Sequence, residues 1–244
     1  MNIRISKYLS SAGICSRRDA EKLIVEKKIK INNEVCLHPS HKVSNLDIIK
    51  VNNKIVKKAN KVEVWKLYKP IKYICSTKDN LGRKKIFDLL PKNVGQLISV
   101  GRLDYMSEGL ILLTNNGDYS RYLEHPSSNI ERIYRVCINS NVQNTDLQKI
   151  NKGITIKEIN YKKIKVAFEK KLKNHNWLIF KLKEGKNREI RNICNYFSWN
   201  IVKLIRIAYG PYKLGRLKEG QFQKLNSISN CLLYTSDAAD ESVS

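Results

Sequence analysis

One carboxylate in this sequence is well placed to do chemistry. Asp104 follows Arg102 in VGRLDYMSEGL, and the Ser-Glu-Gly segment after it is expected to be flexible before the apolar run LILLT begins. A carboxylate at such a loop can act as a nucleophile. For the letters GRLD alone, an aspartate that only caps a turn is the default interpretation. Asp104 and Glu108 form the sole close acidic pair of this stretch, whereas a metal-dependent nuclease needs two or three clustered acids.

Two further stretches offer partners for that carboxylate. Tyr134 lies in IERIYRVCI, whose alternation of apolar and polar residues predicts a strand. An aromatic residue in a strand is usually part of the core. Arg191 lies in LKEGKNREIRNIC, ahead of a predicted helix, and a guanidinium there can hold a carboxylate bidentately.

The elements around these residues predict an α+β domain. From Trp65 to about Leu225 the chain alternates short apolar runs, among them VEVWKLY, ILLT, IYRVCI, WLIFKL and VKLIRI, with longer helical or irregular pieces. This pattern is typical of a largely antiparallel or mixed sheet. We therefore predict a catalytic domain over residues 61–225.

A smaller unit precedes it, over residues 1–60. Ser16 and Asp19 have capping-box spacing, which predicts a helix from about Arg17, and KIKINNEV and IIKVNNKIV each alternate around an Asn-Asn pair suited to a tight hairpin turn. The unit is therefore predicted to be a helical hairpin followed by a short sheet. The polar stretch 57–64, KKANKVEV, predicts the linker to the second domain.

The charge of the chain points to a polyanionic partner. Lys and Arg number 46 against 22 acidic residues, a formal net charge of +24, although a solvated lysine-rich surface would give the same count. An RNA methyltransferase would share this charge but should carry a glycine-rich cofactor loop, and the glycines here lie in the wrong contexts. The candidate side chains for contact with the phosphates of such a partner are Arg4, Lys7, Arg17, Arg18, Lys22, Arg102, Arg188 and Arg206.

Two parts of the sequence resemble known protein families. RISKYLSSAGICSRRDAEKLI resembles the RNA-binding module first described in ribosomal protein S-four, whose two helices lie against structured RNA. GRLD, followed by SEGL, LLTNNG and HPS, is similar to the signature of the pseudouridine synthases that act on ribosomal RNA. The matching sequence covers nearly all of residues 3–225.

The second resemblance implies roles for three residues. Asp104 falls on the family's catalytic aspartate, Tyr134 on the ring that stacks on the target base, and Arg191 on the arginine that pairs with the aspartate. The reaction is an isomerisation that needs no cofactor and no metal. Whether the aspartate attacks the sugar or removes a ribose proton stays open. The sequence departs from the family pattern at Asn116 and Asn192, which could alter loop order or RNA affinity.

Within the family, the resemblance favours a single-site enzyme acting on large-subunit ribosomal RNA. A sister enzyme acting on small-subunit RNA is the first alternative. A non-catalytic ribosome-assembly factor is the second, although all three implied site residues are present. The expected partner is therefore ribosomal RNA or an assembling subunit, and the protein is expected to be a monomer.

Other features set limits on these expectations. The six cysteines lack the pairing of a zinc site or disulfide framework, and Cys36 with His38 and His41 lacks a fourth ligand nearby. No apolar run is long enough to span a bilayer and the start lacks a signal peptide, so a cytoplasmic location is expected. Residues 226–244 contain no Lys or Arg and resemble translated sequencing-adapter DNA, with a native acidic tail as the alternative.

Overall fold

The fold is taken from a computed structural model that describes residues 2–44, 46–57, 62–91 and 93–225. The domain boundary predicted near residue 60 and the atypical tail over 226–244 lie outside the described residues. The predicted linker over 57–64 is described only at its two ends, and its last residue, Val64, already begins a strand of the large sheet.

The N-terminal unit is built from two short helices and short strands. Ser16 caps the second helix: its Oγ accepts from the Asp19 amide at 3.1 Å and donates to the Asp19 carboxylate at 2.6 Å. The predicted helix start is thus confirmed. The elements are β1 (Ile3–Arg4), α1 (Ile5–Ser11), α2 (Arg17–Val25), β2 (Ile29–Ile31), β3 (Glu34–Val35), β4 (Lys42–Val43), β5 (Ile49–Val51) and β6 (Lys54–Ile55).

Both Asn-Asn pairs form the predicted hairpin turns. Asn32 and Asn33 join β2 to β3, and Asn52 and Asn53 join β5 to β6. All four have a positive φ, between 48° and 74°, which asparagine tolerates better than most residues and which two-residue hairpins require. The two hairpins pair through β2 and β5 to give a four-stranded sheet in the order β3-β2-β5-β6.

The larger unit alternates strands with three helices in its described part. Short 3-10 turns lie at Ile86–Leu89 and Pro126–Ser128. The remaining elements are β7 (Val64–Lys69), β8 (Ile98–Val100), β9 (Glu108–Thr114), α3 (Gly117–Glu124), β10 (Arg132–Ile138), α4 (Asn144–Lys152), β11 (Ile154–Ile156), β12 (Ile159–Tyr161), β13 (Lys165–Lys171), β14 (Asn176–Leu182), α5 (Glu189–Tyr196), β15 (Ile201–Tyr209), β16 (Tyr212–Lys213) and β17 (Phe222–Lys224).

Most of these strands form one mixed sheet, which confirms the predicted α+β class. Its order is β13-β14-β10-β15-β9-β7-β17, with β16 beside β15 and β8 beside β9, counted over the described residues. The pairing of β9 with β15 is parallel, and the neighbouring pairings of this sheet are antiparallel. The five apolar runs predicted as strands correspond to β7, β9, β10, β14 and β15.

The main core lies on one face of this sheet. Val136, Phe180 and Leu204 point from β10, β14 and β15 towards α4 and α5, which contribute apolar residues such as Leu147 and Ile193. A second cluster packs α3 against the other face where β9 and β15 meet. The sheet therefore holds the ends of β9, β10 and α5 in fixed relative positions.

The start of β9 corrects one sequence-based expectation. Ser107, Glu108 and Gly109 were expected to be flexible, but Ser107 and Glu108 are buried and β9 begins at Glu108. Gly109 has a φ of +100°, and a Cβ built on it would lie 2.4 Å from the Arg206 carbonyl oxygen of β15. Only glycine allows these two parallel strands to approach so closely here.

We predict that Gly109→Ala destabilises the fold by at least about 3 kcal/mol, because both the positive φ and the backbone contact penalise a Cβ. Urea unfolding monitored by circular dichroism measures the change. Gly82→Ala is the matched control: Gly82 also has a positive φ, but its Cβ would meet nothing within 4 Å. Equal destabilisation of the two variants would contradict the role assigned to the close approach.

Candidate active site

Asp104 lies in the loop that joins β8 to β9. The Ser107 amide donates to the Asp104 carbonyl oxygen at 3.0 Å, which closes a tight turn directly before β9. Lys69, at the end of β7, is fully buried beneath this loop and donates to the Ser107 carbonyl oxygen at 2.7 Å and to that of Pro70 at 2.9 Å. The loop is thus fixed from the inside by a buried ammonium group.

Arg191 holds the same loop from helix α5. Its Nε lies 3.4 Å from Asp104 Oδ2, and its Nη2 donates to the Met106 carbonyl oxygen at 2.8 Å and to Ser107 Oγ at 3.1 Å. The carboxylate is therefore contacted through one nitrogen at ion-pair distance, and the bidentate pairing considered for Arg191 is not seen. The Asp104 side chain remains 32% exposed and so stays accessible to a substrate.

Tyr134 completes a cavity with these two residues. It lies on β10, beside Phe180 of β14 and Arg206 of β15 in the strand register. The cavity is lined by Asp104, Arg191 and Tyr134 together with apolar side chains that include Leu182, Ile190 and Leu204. Its lining therefore combines an aromatic ring, apolar side chains and a carboxylate.

A third wall of the site is the loop between β14 and α5. The buried carboxylate of Glu189 accepts hydrogen bonds from the amides of Gly185 and Lys186, each at 3.0 Å. Burial raises the pKa of Glu189, and the two amides partly oppose that rise. Arg132, also buried, donates to the Lys183 carbonyl oxygen at 2.8 Å. These contacts fix the loop segment that lines the cavity.

Lys69, Glu189 and Arg132 were missed by sequence reasoning. For Lys69 and Arg132 a signal was present: each occupies an inward-facing position of an alternating strand, Lys69 with Leu67 and Arg132 with Tyr134. A charged residue at an inward position must find buried partners. Glu189 had no comparable signal, because its partners are backbone amides of a loop whose course the sequence does not show.

The predicted RNA-contacting residues near the cavity fall into two groups. Arg102 and Arg188 are exposed and line the cavity beside Asp104, so their assignment as phosphate contacts stays a prediction. Arg206 requires a correction, because it is only 3% exposed and its Nε donates to the Leu110 carbonyl oxygen at 2.7 Å. It is the strand partner of Tyr134, packs with its guanidinium 5.0 Å from the centre of the Tyr209 ring, and does not belong to an exposed phosphate-binding surface.

The predicted RNA-contacting residues of the N-terminal unit also fall into two groups, those that line a groove and those that do not. Arg4, Lys7 and Arg17 line a groove between the two helices of that unit and the start of α3. Lys7 forms an ion pair with Asp118 of α3, at 2.9 Å. Arg18 and Lys22 are exposed but are not part of the lining of this groove. The contact of all five residues with RNA stays a prediction.

The two departures from the family pattern have structural roles in this chain. Asn116 caps α3, with its side-chain oxygen accepting from the Tyr119 amide at 2.8 Å, as an aspartate could. Asn192 donates to Tyr161 Oη at 3.0 Å and to the Asn187 carbonyl oxygen at 3.2 Å. Asn116 therefore preserves the start of α3. Asn192 links α5 by hydrogen bonds to β12 and to the loop that precedes α5.

Metal-binding clusters and membrane-spanning helices are both absent from the part of the chain that the structure describes. No group of three or more His, Cys, Asp or Glu side chains in the described ranges could hold a metal ion, and Cys36 instead directs its Sγ to the His38 carbonyl oxygen. Within the same ranges, no helix is both long and apolar enough to cross a membrane.

The chain matches two family models, one for each unit. Residues 63–196 match the model of RNA pseudouridylate synthase, and residues 3–49 match that of the S4 domain. The first range includes all three residues that converge on the cavity. The chain belongs to the RNA pseudouridine synthase family and carries an N-terminal S4 domain.

Similar proteins extend over almost the whole chain. An RNA pseudouridine synthase of Rickettsia prowazekii is 41% identical over 92% of this chain and 94% of its own length. Ribosomal large subunit pseudouridine synthase B of Buchnera aphidicola is 38% identical over 96% and 94%, and that of Bacillus subtilis is 34% identical over 91% of both. A crystal structure of a pseudouridylate synthase superposes with a TM-score of 0.65 at 23% identity, over 95% of this chain and 98% of that one, and shows the same fold.

We predict that Arg191→Lys lowers the rate of pseudouridine formation by roughly 10- to 150-fold. Lysine keeps the charge but cannot reach Asp104, the Met106 carbonyl and Ser107 Oγ together, and a hydrogen bond from a charged group is worth about 1.5–3 kcal/mol. Single-turnover assays on ribosomal RNA measure the rate. Arg216→Lys, at an exposed position outside the cavity, is the control. An unchanged rate for Arg191→Lys would show that the geometry of the guanidinium is not needed.

The buried Lys69 predicts an unusual pH dependence of stability. Burial lowers the pKa of Lys69 from 10.5 to about 8, although Cys75, Asp104 and Glu108 oppose that shift. Between about pH 8 and pH 10.5 the unfolded chain therefore binds more protons at this site, so its contribution to the free energy of unfolding rises with pH. Below about pH 8 the full cost of burying the charge is present.

Urea unfolding of the wild type and of Lys69→Met at about pH 7.5 and about pH 10 tests this prediction. As the pH rises, the free energy of unfolding of the wild type should increase relative to that of Lys69→Met by up to about 3 kcal/mol. Lys66→Met, on the same strand but not buried, should show no such gain. A difference between wild type and Lys69→Met that stays constant with pH would contradict the depressed pKa.

Proposed function

We propose that this protein isomerises a specific uridine to pseudouridine in large-subunit ribosomal RNA, with Asp104 as the reacting carboxylate. The observation that carries the proposal is the convergence of Asp104, Tyr134 and Arg191 on one cavity. Membership of the pseudouridine synthase family fixes the reaction class. The assignment of the individual residues and of the RNA target is our inference.

The reaction sets demands that this cavity meets. The bond from the ribose to N1 of uracil breaks, the base turns, and a new bond forms from the ribose to C5, while the hydrogen at C5 leaves as a proton and N1 takes up a proton. No electrons enter or leave overall. One carboxylate suffices, either to attack the sugar at C1′ or to remove a ribose proton, and Asp104 is exposed enough for both. Tyr134 provides a ring on which the turning base can stack.

The target base must leave its RNA structure to enter the cavity. Enzymes that act on one base extract it from the stack and hold it between aromatic or apolar side chains. The walls formed by Leu182, Ile190 and Leu204 suit this task. Arg102 and Arg188 at the opening are placed to contact the flanking phosphates, and the S4 domain supplies a second basic surface for the surrounding RNA.

The large subunit is the favoured source of the substrate. Two relatives that share 38% and 34% of their residues with this chain over more than nine tenths of its length are named as large-subunit synthases. A small-subunit target is the alternative within the family, and a non-catalytic assembly factor is the alternative outside it. We further propose that the protein works as a monomer in the cytoplasm.

Mapping of pseudouridine in both ribosomal RNAs tests the target. A strain that lacks the gene should lose one large-subunit pseudouridine, and a plasmid copy of the chain should restore it. If a small-subunit pseudouridine is lost and restored instead, the substrate is small-subunit ribosomal RNA. Unchanged pseudouridine at every position in the deletion strain would favour the non-catalytic factor.

The S4 helices generate a separate prediction. Arg17→Glu/Arg18→Glu, both on α2, should weaken binding to ribosomal RNA and should lower the slope of log K against log salt by about 0.7 to 0.9 for each phosphate that is no longer bound. Fluorescence anisotropy at several salt concentrations measures both. The control Lys54→Glu/Lys57→Glu makes the same charge change at exposed positions of the domain outside its helices. A matching decrease in the control would refute a specific role for the helices.

A further inference from the structure

The large sheet has a second face that the active site does not use. Side chains alternate along a strand, so Tyr134 and Val136 of β10 point to the core while Ile133 and Arg135 point the other way. The core helices α4 and α5 pack on the side of Tyr134. On the opposite side, many of the residues of β13, β14, β10 and β15 are half-buried or exposed. We call this surface the outer face.

The strand register orders the outer face into three rows. Each row runs across the strands from β13 towards β15, and directly paired residues of antiparallel strands point to the same side. The rows are Lys165, Lys181, Ile133 and Ala208; Ala167, Ile179, Arg135 and Ile205; and Lys170, Trp177, Cys137 and Lys203. Ala208 and Cys137 are buried and Ile205 packs against the cluster of α3, so the accessible part of the outer face lies mainly on β13, β14 and the exposed Lys203.

The chemistry of these rows is distinctive. Three isoleucines and Trp177 provide apolar and aromatic surface, Lys165 and Lys181 lie side by side in the first row, and Lys170 and Lys203 occupy the two ends of the third row. The guanidinium of Arg135 lies over the Trp177 ring, 4.7 Å from its centre. One carboxylate borders the surface, that of Glu169, and it accepts from Arg135 at 2.8 Å. Four lysines and one arginine thus surround an aromatic and aliphatic centre, with one acid among them.

We propose that the outer face binds a single-stranded segment of the RNA substrate, with Trp177 as a stacking platform and Lys165, Lys181 and Lys203 as phosphate contacts. The proposal rests on the proposed function, since it assigns a further contact surface for the same RNA. A sheet that presents an aromatic ring among basic side chains suits unpaired bases, because every base has a π-face that can stack and a phosphate beside it.

The size of the outer face fits a short strand of RNA. Four neighbouring strands span about 14 Å at the usual spacing, and the four steps from Trp177 to Lys181 along β14 cover about 14 Å. Sheet modules of this kind stack two or three bases. The surplus of cations favours an anionic partner over an apolar one. Lysines in the first and third rows also interrupt the continuous apolar surface that an interface with a second copy of this chain would need.

The test uses the full-length protein and a labelled single-stranded oligouridylate. Lys165→Glu/Lys181→Glu/Lys203→Glu should weaken binding roughly 10- to 100-fold at low salt and should lower the slope of log K against log salt by about 2, since each phosphate contact to a single strand contributes about 0.7. Trp177→Ala should weaken binding roughly tenfold, and Trp177→Phe should retain most of the affinity because it keeps a ring. Photocrosslinking with a 4-thiouridine oligonucleotide should label the peptides of β10 and β14.

The control variant, Lys149→Glu/Lys157→Glu/Lys218→Glu, makes the same charge change at exposed positions away from the outer face. Equal weakening by the control and the outer-face variant would overturn the proposal, as would crosslinks confined to other peptides. Dissociation of a dimer on Trp177→Ala, measured by light scattering, would overturn it in favour of an interface between copies. Thermal unfolding checks that each variant folds.

Catalysis separates this proposal from the function on which it rests. On a minimal stem-loop that contains the target uridine, outer-face variants should form pseudouridine at the wild-type rate, because the outer face lies across the sheet from the cavity. On full-length ribosomal RNA at low concentration they should be slower. If the wild type modifies no RNA, the proposed function fails while the binding result still stands. If the outer-face variants match the wild-type rate on both RNAs, the outer-face proposal alone is overturned.

Discussion

The structure depends on how one short loop is held against the sheet. Lys69 donates to the carbonyl oxygen of Ser107 from β7, and Arg191 donates to the hydroxyl of the same residue from α5. The two cations thus fix the loop from opposite sides. Most of their hydrogen bonds go to backbone and hydroxyl oxygens, so the Asp104 carboxylate is left with a single ion-pair contact at 3.4 Å. The loop is thus hydrogen-bonded to two cations while the Asp104 carboxylate stays accessible.

The rest of the sheet makes this arrangement possible. The parallel pair of β9 and β15 brings Gly109 against the backbone of Arg206, whose partner on β10 is Tyr134, and Asp104 of the loop and Tyr134 line the same cavity. Burying Lys69 costs free energy, since burial disfavours its charged form. The protein therefore loses some stability at the point where the lysine holds the loop. Such local losses of stability are expected at functional sites.

Much of this could be predicted from the sequence, and the limits have physical causes. The Ser16 cap, the Asn-Asn hairpins and the five strands were predictable because each depends on local chemistry or alternation. Asp104, Tyr134 and Arg191 were identified through resemblance, and the structure brings them together. The burial of Arg206 and the partners of Glu189 depend on contacts between segments far apart in the chain, which local pattern does not encode. The same holds for the start of β9, where a Ser-Glu-Gly segment suited to a loop is buried by its neighbours.

The central claim is that Asp104 carries out the chemistry, and release of the C5 hydrogen tests it most directly. Purified wild type, Asp104→Asn and the control Asp146→Asn are each mixed with ribosomal RNA labelled with tritium at C5 of uridine, and tritium released to water is counted. The account predicts release by the wild type and the control, and none above background by Asp104→Asn even though it still binds the RNA. Release by Asp104→Asn at a rate within about tenfold of the wild type, a difference of about 1.4 kcal/mol, would contradict it.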